Sequence, residues 1–162
     1  MSEKRRPIGI IGGTALTHLE GLEVTYQGDD QGAYVIEGTL KDVPVVVIRR
    51  HGRDHSIPPH QVNYIANLAA LRRRGCKQVI AFSAMGGMAM GYTPGNLVFV
   101  NEIADRTWGR KNTIFEDGIA AHVARPMAVC PHIHQVLGST ARQWQLEHQT
   151  TGRLVVINGP RF

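Results

Sequence analysis

This sequence lacks any apolar run approaching the roughly 20 residues that a membrane-crossing helix needs. Its basic head, "MSEKRRPIGII", turns apolar too briefly for a secretory signal and has no small-residue cleavage site. Cysteine is scarce. Cys76 and Cys130 stand alone, outside any metal-binding or disulfide spacing, which suits a reducing cytoplasm. Aromatic residues make up 6% of the chain, and none interleaves with the basic clusters Lys4-Arg5-Arg6 and Arg72-Arg73-Arg74. The formal charge of +5 therefore comes without the stacking surfaces that nucleic-acid binding uses. The second cluster directly precedes Gly75, where cations favour a helix C-terminus. Local positive charge suits a small anionic substrate equally well. The expected setting is cytoplasmic, with neither membrane nor nucleic acid as a partner.

Internal repeats, low-complexity segments and linkers are also missing, so residues 1–162 read as a single domain. Its 43% of hydrophobic residues are enough for a core. "PIGIIGG" has the apolar, glycine-bounded pattern of a buried strand. "AYVIEGTLKDVPVVVIRR" reads as a hairpin around Lys41-Asp42. From Pro58 to Arg74 the spacing of Val62, Ile65, Ala66 and Ala69 predicts a helix, with prolines at its start and Gly75 at its end. "KQVIAF" and "LVFVNEI" read as strands, separated by the glycine-rich "SAMGGM" and the turn "GYTPGN". A second amphipathic helix carries Ile133, Val136, Leu137, Thr140, Ala141 and Trp144, and "RLVVING" is a last strand. This succession predicts an α/β fold with a mixed, partly parallel sheet and flanking helices.

In such sheets ligands gather where the strands run out at their carboxyl ends. Three ends qualify: Gly12-Gly13-Thr14, Arg49-Arg50-His51-Gly52, and Ser83-Ala84-Met85-Gly86-Gly87. The first offers free amides and a hydroxyl for a phosphate cradle, or is simply a tight turn leaving a strand. "GIIGGTAL" is not the G-x-G-x-x-G of a dinucleotide site, and the expected downstream acidic residue is not evident. Arg50 brings a planar fork suited to phosphate oxygens and His51 a further donor, unless this is only a solvated strand end. Ser83-Ala84 has the hydroxyl and amide of an oxyanion pocket, or of a plain strand exit. His51, His55 and His60 are spaced through a proline-rich turn without an acidic ligand set, so no metal is expected.

Taken in order, "IGIIGGTAL", "RRHGRDHSIPPHQVNYIANLAAL", "SAMGG", "DRTWGRKNTIFEDG" and "INGPRF" resemble the trimeric class of purine nucleoside phosphorylases. Within it they are most similar to the methylthioadenosine phosphorylase family. The resemblance implies a nucleoside phosphorylase-like fold and phosphorolysis of 5′-methylthioadenosine or a related purine nucleoside. The products would be the free purine and (methylthio)ribose 1-phosphate, a reaction of purine and methionine salvage by a pentosyltransferase. It places Thr14, Arg50, His51, Ser83 and Ala84 on phosphate-binding positions and Phe162 on the purine. His122 falls on a histidine that reaches the neighbouring subunit's 5′-substituent pocket. It further implies a homotrimer, phosphate as co-substrate, and no metal or organic cofactor.

The sequence departs from the family pattern at Ala15, Met85 and Asn96, none of them a phosphate contact. It also stops at Phe162, at little over half the usual family size, so the single domain is expected to be incomplete at its C-terminal side. Later segments that recognise ribose and purine are not among these residues. The expectation for the 162-residue chain alone is therefore anion binding without turnover. Two alternatives are a non-catalytic phosphate-binding or subunit-interaction fragment, and a phosphorylase of methylthioinosine.

Overall fold

A computed structural model describes residues 5–13, 19–111, 113–115, 118–122 and 129–159. They form two compact units, one running to Met85 and the other spanning Gly86–Asn158. The first is built on a five-stranded sheet: β1 (Ile8–Gly12), β2 (Leu22–Asp30), β3 (Ala33–Leu40), β4 (Val43–Arg49) and β5 (Val79–Phe82), in the order β2-β3-β4-β1-β5. Strands β2, β3 and β4 form an antiparallel meander, whereas β4, β1 and β5 run parallel. The expected mixed, partly parallel sheet is thus observed.

Local chemistry explains the turns. Lys41 and Asp42 have φ of 47° and 64°, and Leu40 pairs with Val43, as in a two-residue hairpin whose twist matches its strands. Gln31 and Gly32, with φ of 53° and 88°, make the corresponding turn between β2 and β3. The sequence pattern anticipated the β3–β4 hairpin but not β2. That strand lies at the sheet edge with most of its residues exposed, so it has no buried face to impose alternation.

The helix expected from Pro58 begins later. The prolines belong to a short 3-10 turn, Pro59–Gln61, and α1 spans Tyr64–Arg73. Asn63 caps it, its side-chain oxygen accepting from the Ala66 amide at 2.9 Å. Gly75, at φ +78°, ends it: its amide donates to the Arg72 carbonyl and that of Cys76 to the Leu71 carbonyl. Ala66, Ala70 and Leu71 of α1 pack with Ala33, Val35, Val46 and Ile48 of the sheet. Ile10, Tyr34, Ile36, Val45 and Val47 form a second buried cluster, alternating along the same strands.

The arginine cluster at the end of α1 is absorbed by this unit. Arg73 Nη2 lies 2.8 Å from Asp30 Oδ1, and Arg74 Nε lies 2.7 Å from Glu37 Oε1; Arg74 also pairs with Asp30. Hydrogen bonding from Arg74, and then from Arg73, holds the Asp30 carboxyl below its ordinary range despite the opposing effect of burial. Because the folded value lies below the unfolded one, the stabilisation is present above the ordinary carboxylate range and is lost as pH falls through the folded value. Asp30→Asn is expected to lower the melting temperature at neutral pH and to flatten its fall below about pH 4. A pH series of thermal melts checks this; an acid limb as steep as that of the wild type would contradict it.

The second unit holds two short parallel strand pairs. β6 (Leu97–Val98) pairs with β8 (His148–Gln149), and β7 (Glu102–Asp105) pairs with β9 (Arg153–Val156). The run "LVFVNEI" is therefore two strands. At the break, the Asn101 side chain accepts from the Gly152 amide at 2.9 Å and the Asn101 amide donates to the Gly152 carbonyl at 3.1 Å. A Cβ on Gly152 would sit 2.5 Å from Val98 Cγ1, so only glycine permits this approach. Between the strand pairs lies α2 (Pro131–Gln143), with Pro131 at its first turn. It buries Gly138 and Ala141, while Val136 and Trp144 of the predicted apolar stripe are exposed. Among the described residues no helix is long and apolar enough to cross a membrane.

Candidate anion site at the parallel strand ends

The three parallel strands end together. Gly12 of β1 is in register with Arg49 of β4 on one side and with Phe82 of β5 on the other. The Arg50 amide donates to the Gly12 carbonyl at 3.0 Å, carrying the ladder one residue past the strand. The residues that follow are therefore neighbours by construction: Gly13, Arg50-His51 and Ser83. Arg50 Nη2 reaches Ser83, donating to its Oγ at 3.3 Å across 33 positions of sequence. On the way it crosses Gly13 so closely that a Cβ there would collide with the guanidinium. Glycine is required at this point by the approach of Arg50.

Beyond Arg50 the chain closes a tight loop. Gly52, at φ +81°, turns it, and its amide donates to the Arg49 carbonyl at 3.0 Å. Arg49 Nη1 donates to the Arg53 carbonyl at 3.0 Å. His51 and Ile57 bond reciprocally: the Ile57 amide donates to the His51 carbonyl at 2.9 Å, and His51 Nδ1 donates to the Ile57 carbonyl at 2.8 Å. A carbonyl can only accept, so this contact fixes the proton on Nδ1. His51 is buried, 8% exposed, and its ring lies 4.5 Å from that of His55. Burial pushes the imidazole below its ordinary value; the bond to Ile57 opposes this, and the charges of Arg50 and His55 add to it.

A cavity of about 200 Å³ sits inside this loop, lined by Gly12, Gly13 and residues 49–55. It is smaller than the roughly 300–1,000 Å³ that encloses a drug-sized ligand, and suits a compact ion. Arg49, Arg50 and Arg53 line it against one carboxylate, Asp54, so the lining favours an anion. Among the described residues no group of three or more His, Cys, Asp or Glu side chains is placed to hold a metal.

Of the residues predicted for phosphate, the structure joins Arg50 to Ser83 and sets His51 in the cavity wall. Ala84 follows Ser83 and is exposed. His122 lies exposed in the second unit. Thr14 and Phe162 lie outside the described residues. Arg53, Asp54 and His55 were not anticipated as cavity residues. The available signal was Gly52 directly after a buried strand, which turns the following residues back over the strand end.

A family model described as the phosphorylase superfamily matches residues 7–162. The chain belongs to that superfamily. Curated relatives include the S-methyl-5′-thioadenosine phosphorylase of Hyperthermus butylicus, 40% identical over 96% of this chain and 59% of the relative. The enzyme of the same name from Caenorhabditis elegans is 38% identical over 96% of this chain and 58% of its own length. A probable S-methyl-5′-thioinosine phosphorylase from Thermodesulfovibrio yellowstonii is 35% identical, with 96% and 60% covered. Among solved structures, methylthioadenosine phosphorylase from Schistosoma mansoni in complex with adenine superposes with a TM-score of 0.88 at 30% identity. That match covers 98% of this chain and 67% of the other. The chain spans about three fifths of the length of the curated relatives it matches.

Proposed function

We propose that the three strand ends form the phosphate site of a purine nucleoside phosphorylase acting on 5′-methylthioadenosine. The observation that carries this reading is the bond from Arg50 to Ser83 across Gly13, which gathers donors from all three parallel strands at one cationic cavity. The names of the relatives support the substrate.

In the proposed reaction a phosphate oxygen attacks the anomeric carbon of the ribose. The bond from that carbon to the purine nitrogen breaks, its electron pair leaves with the base, and the base takes up a proton. The products are the free purine and a 5-methylthioribose 1-phosphate. Arg50 presents a fork to two phosphate oxygens and so orients a third for attack, which removes much of the entropic cost of the encounter. The bound dianion then faces the positive charge that develops on the sugar and stabilises it. No step of this sequence calls for a redox centre or an organic cofactor.

Thr14, Ala84, Phe162 and His122 enter the proposal through the family resemblance, as do a homotrimeric assembly and a cytoplasmic setting. Methylthioinosine is the second reading of the substrate, supported by the Thermodesulfovibrio yellowstonii relative. The test follows purine release by the whole protein from 5′-methylthioadenosine and from 5′-methylthioinosine, with and without phosphate. Release from the adenine nucleoside that depends on phosphate is expected. Preference for the inosine substrate would move the assignment to the second reading, and release at the same rate without phosphate would overturn phosphorolysis.

A further inference from the structure

We infer that His51 is the hydrogen-bond acceptor of the anion cavity, selecting phosphate, which carries an O–H, over sulfate, which has the same shape and carries none. The inference rests on the anion-site reading above and goes beyond it in naming what the site rejects. Its starting point is the loop closure. The Ile57 carbonyl fixes the proton of His51 on Nδ1, at 2.8 Å, so a neutral ring presents only a lone pair at Nε2.

The surroundings oppose a second proton on that ring. It is buried, and Arg49, Arg50 and Arg53 line the same cavity, with the His55 ring 4.5 Å away. Asp54, the one carboxylate of the lining, acts in the opposite sense but is exposed. From β5, Ser83 contributes only a neutral hydroxyl, already bonded to Arg50.

A site made of arginine donors alone would hold any tetrahedral dianion. Adding one fixed acceptor changes this. Near neutral pH phosphate retains at least one O–H, which can donate to Nε2. Sulfate has only lone pairs there, and two acceptors in contact repel. Sites built to pair a hydroxyl reject analogues that lack it far more strongly than apolar pockets reject a missing methylene.

The experiment is calorimetric titration of inorganic phosphate and of sulfate at about pH 8, where the imidazole is neutral. Four proteins are compared: wild type, His51→Asn, Asp54→Asn and Arg50→Ala. Asparagine at 51 keeps an amide to donate to the Ile57 carbonyl and removes the acceptor. The wild type should bind phosphate at least about tenfold more tightly than sulfate. His51→Asn should lose that preference by weakening phosphate while leaving sulfate unchanged, and Asp54→Asn should keep it. Arg50→Ala should lose both anions.

Equal binding of both anions by the wild type, with both lost in Arg50→Ala, would overturn the acceptor role and leave the anion site standing. Loss of the preference in Asp54→Asn would overturn the role as well. Failure of the wild type to bind either anion, or undiminished binding by Arg50→Ala, would overturn the site and this inference together. Should His51→Asn fail to fold, proton uptake by the wild type decides, read by repeating the phosphate titration in buffers of different ionisation enthalpy. No uptake is expected. Uptake of about one proton per site would mean that the ring charges and donates, and would overturn the acceptor role.

Discussion

Arg50→Ala abolishes the rise in melting temperature that phosphate produces, and leaves the unliganded melt nearly unchanged: that is the expected result. A ligand that binds only the folded state stabilises it by about 2.7 kcal/mol at a hundredfold excess over its dissociation constant. In a unit of this size each 1 kcal/mol moves the midpoint by roughly 4–8 °C, so the wild type should shift by many degrees. Arg50 carries most of that effect, because it is the cation that both lines the cavity and reaches the neighbouring strand end. Its contact with Ser83 is exposed, so losing it should cost the fold little. Gly13→Ala gives an independent arm. The new methyl collides with the end of the Arg50 side chain, which is flexible enough to move away. Anion binding should weaken without unfolding. A phosphate shift in Arg50→Ala equal to that of the wild type would contradict the assignment.

Leu71→Ala is expected to destabilise the chain by about 2–5 kcal/mol, the range for emptying a well-packed core site. Leu71 is 1% exposed and forms one cluster with Val35, Val46, Ile48 and Ala70. Its two terminal carbons lie 3.2 Å from where a Cβ on Gly9 would be, so α1 rests directly on β1 at that glycine. Rigid strands limit how far the site can collapse after truncation, which places the expected cost in the upper part of the range. Denaturant unfolding checks it. A loss below about 1 kcal/mol would mean that the helix does not hold the sheet in the way described.

What the sequence disclosed of this architecture followed from burial. Ile8–Gly12, Val43–Arg49 and Val79–Phe82 are apolar runs with polar or glycine ends, and their parallel pairing brings together ends that the sequence only lists in order. The phosphate residues Arg50, His51 and Ser83 were legible because each directly follows such a run. Strand β2 was not legible, since an exposed edge strand repeats no apolar period. The split of "LVFVNEI" depends on Asn101 meeting Gly152, some fifty residues away, which no local pattern encodes. Arg53, Asp54 and His55 were read as a question about metal. Their place in the cavity wall comes from the Gly52 turn and from the His51–Ile57 closure, both tertiary features. The arginine cluster at 72–74 looked like a surface for polyanions, yet Arg73 and Arg74 are paired with Asp30 and Glu37 on the meander.

The most direct measurement is a crystal structure of the protein with inorganic phosphate. The account predicts one tetrahedral anion beside Gly13, within hydrogen-bond distance of the Arg50 guanidinium and the Ser83 hydroxyl, with His51 Nε2 facing one of its oxygens. Phosphate bound away from the β1, β4 and β5 ends, or Arg50 and Ser83 turned to different faces of the sheet, would contradict it.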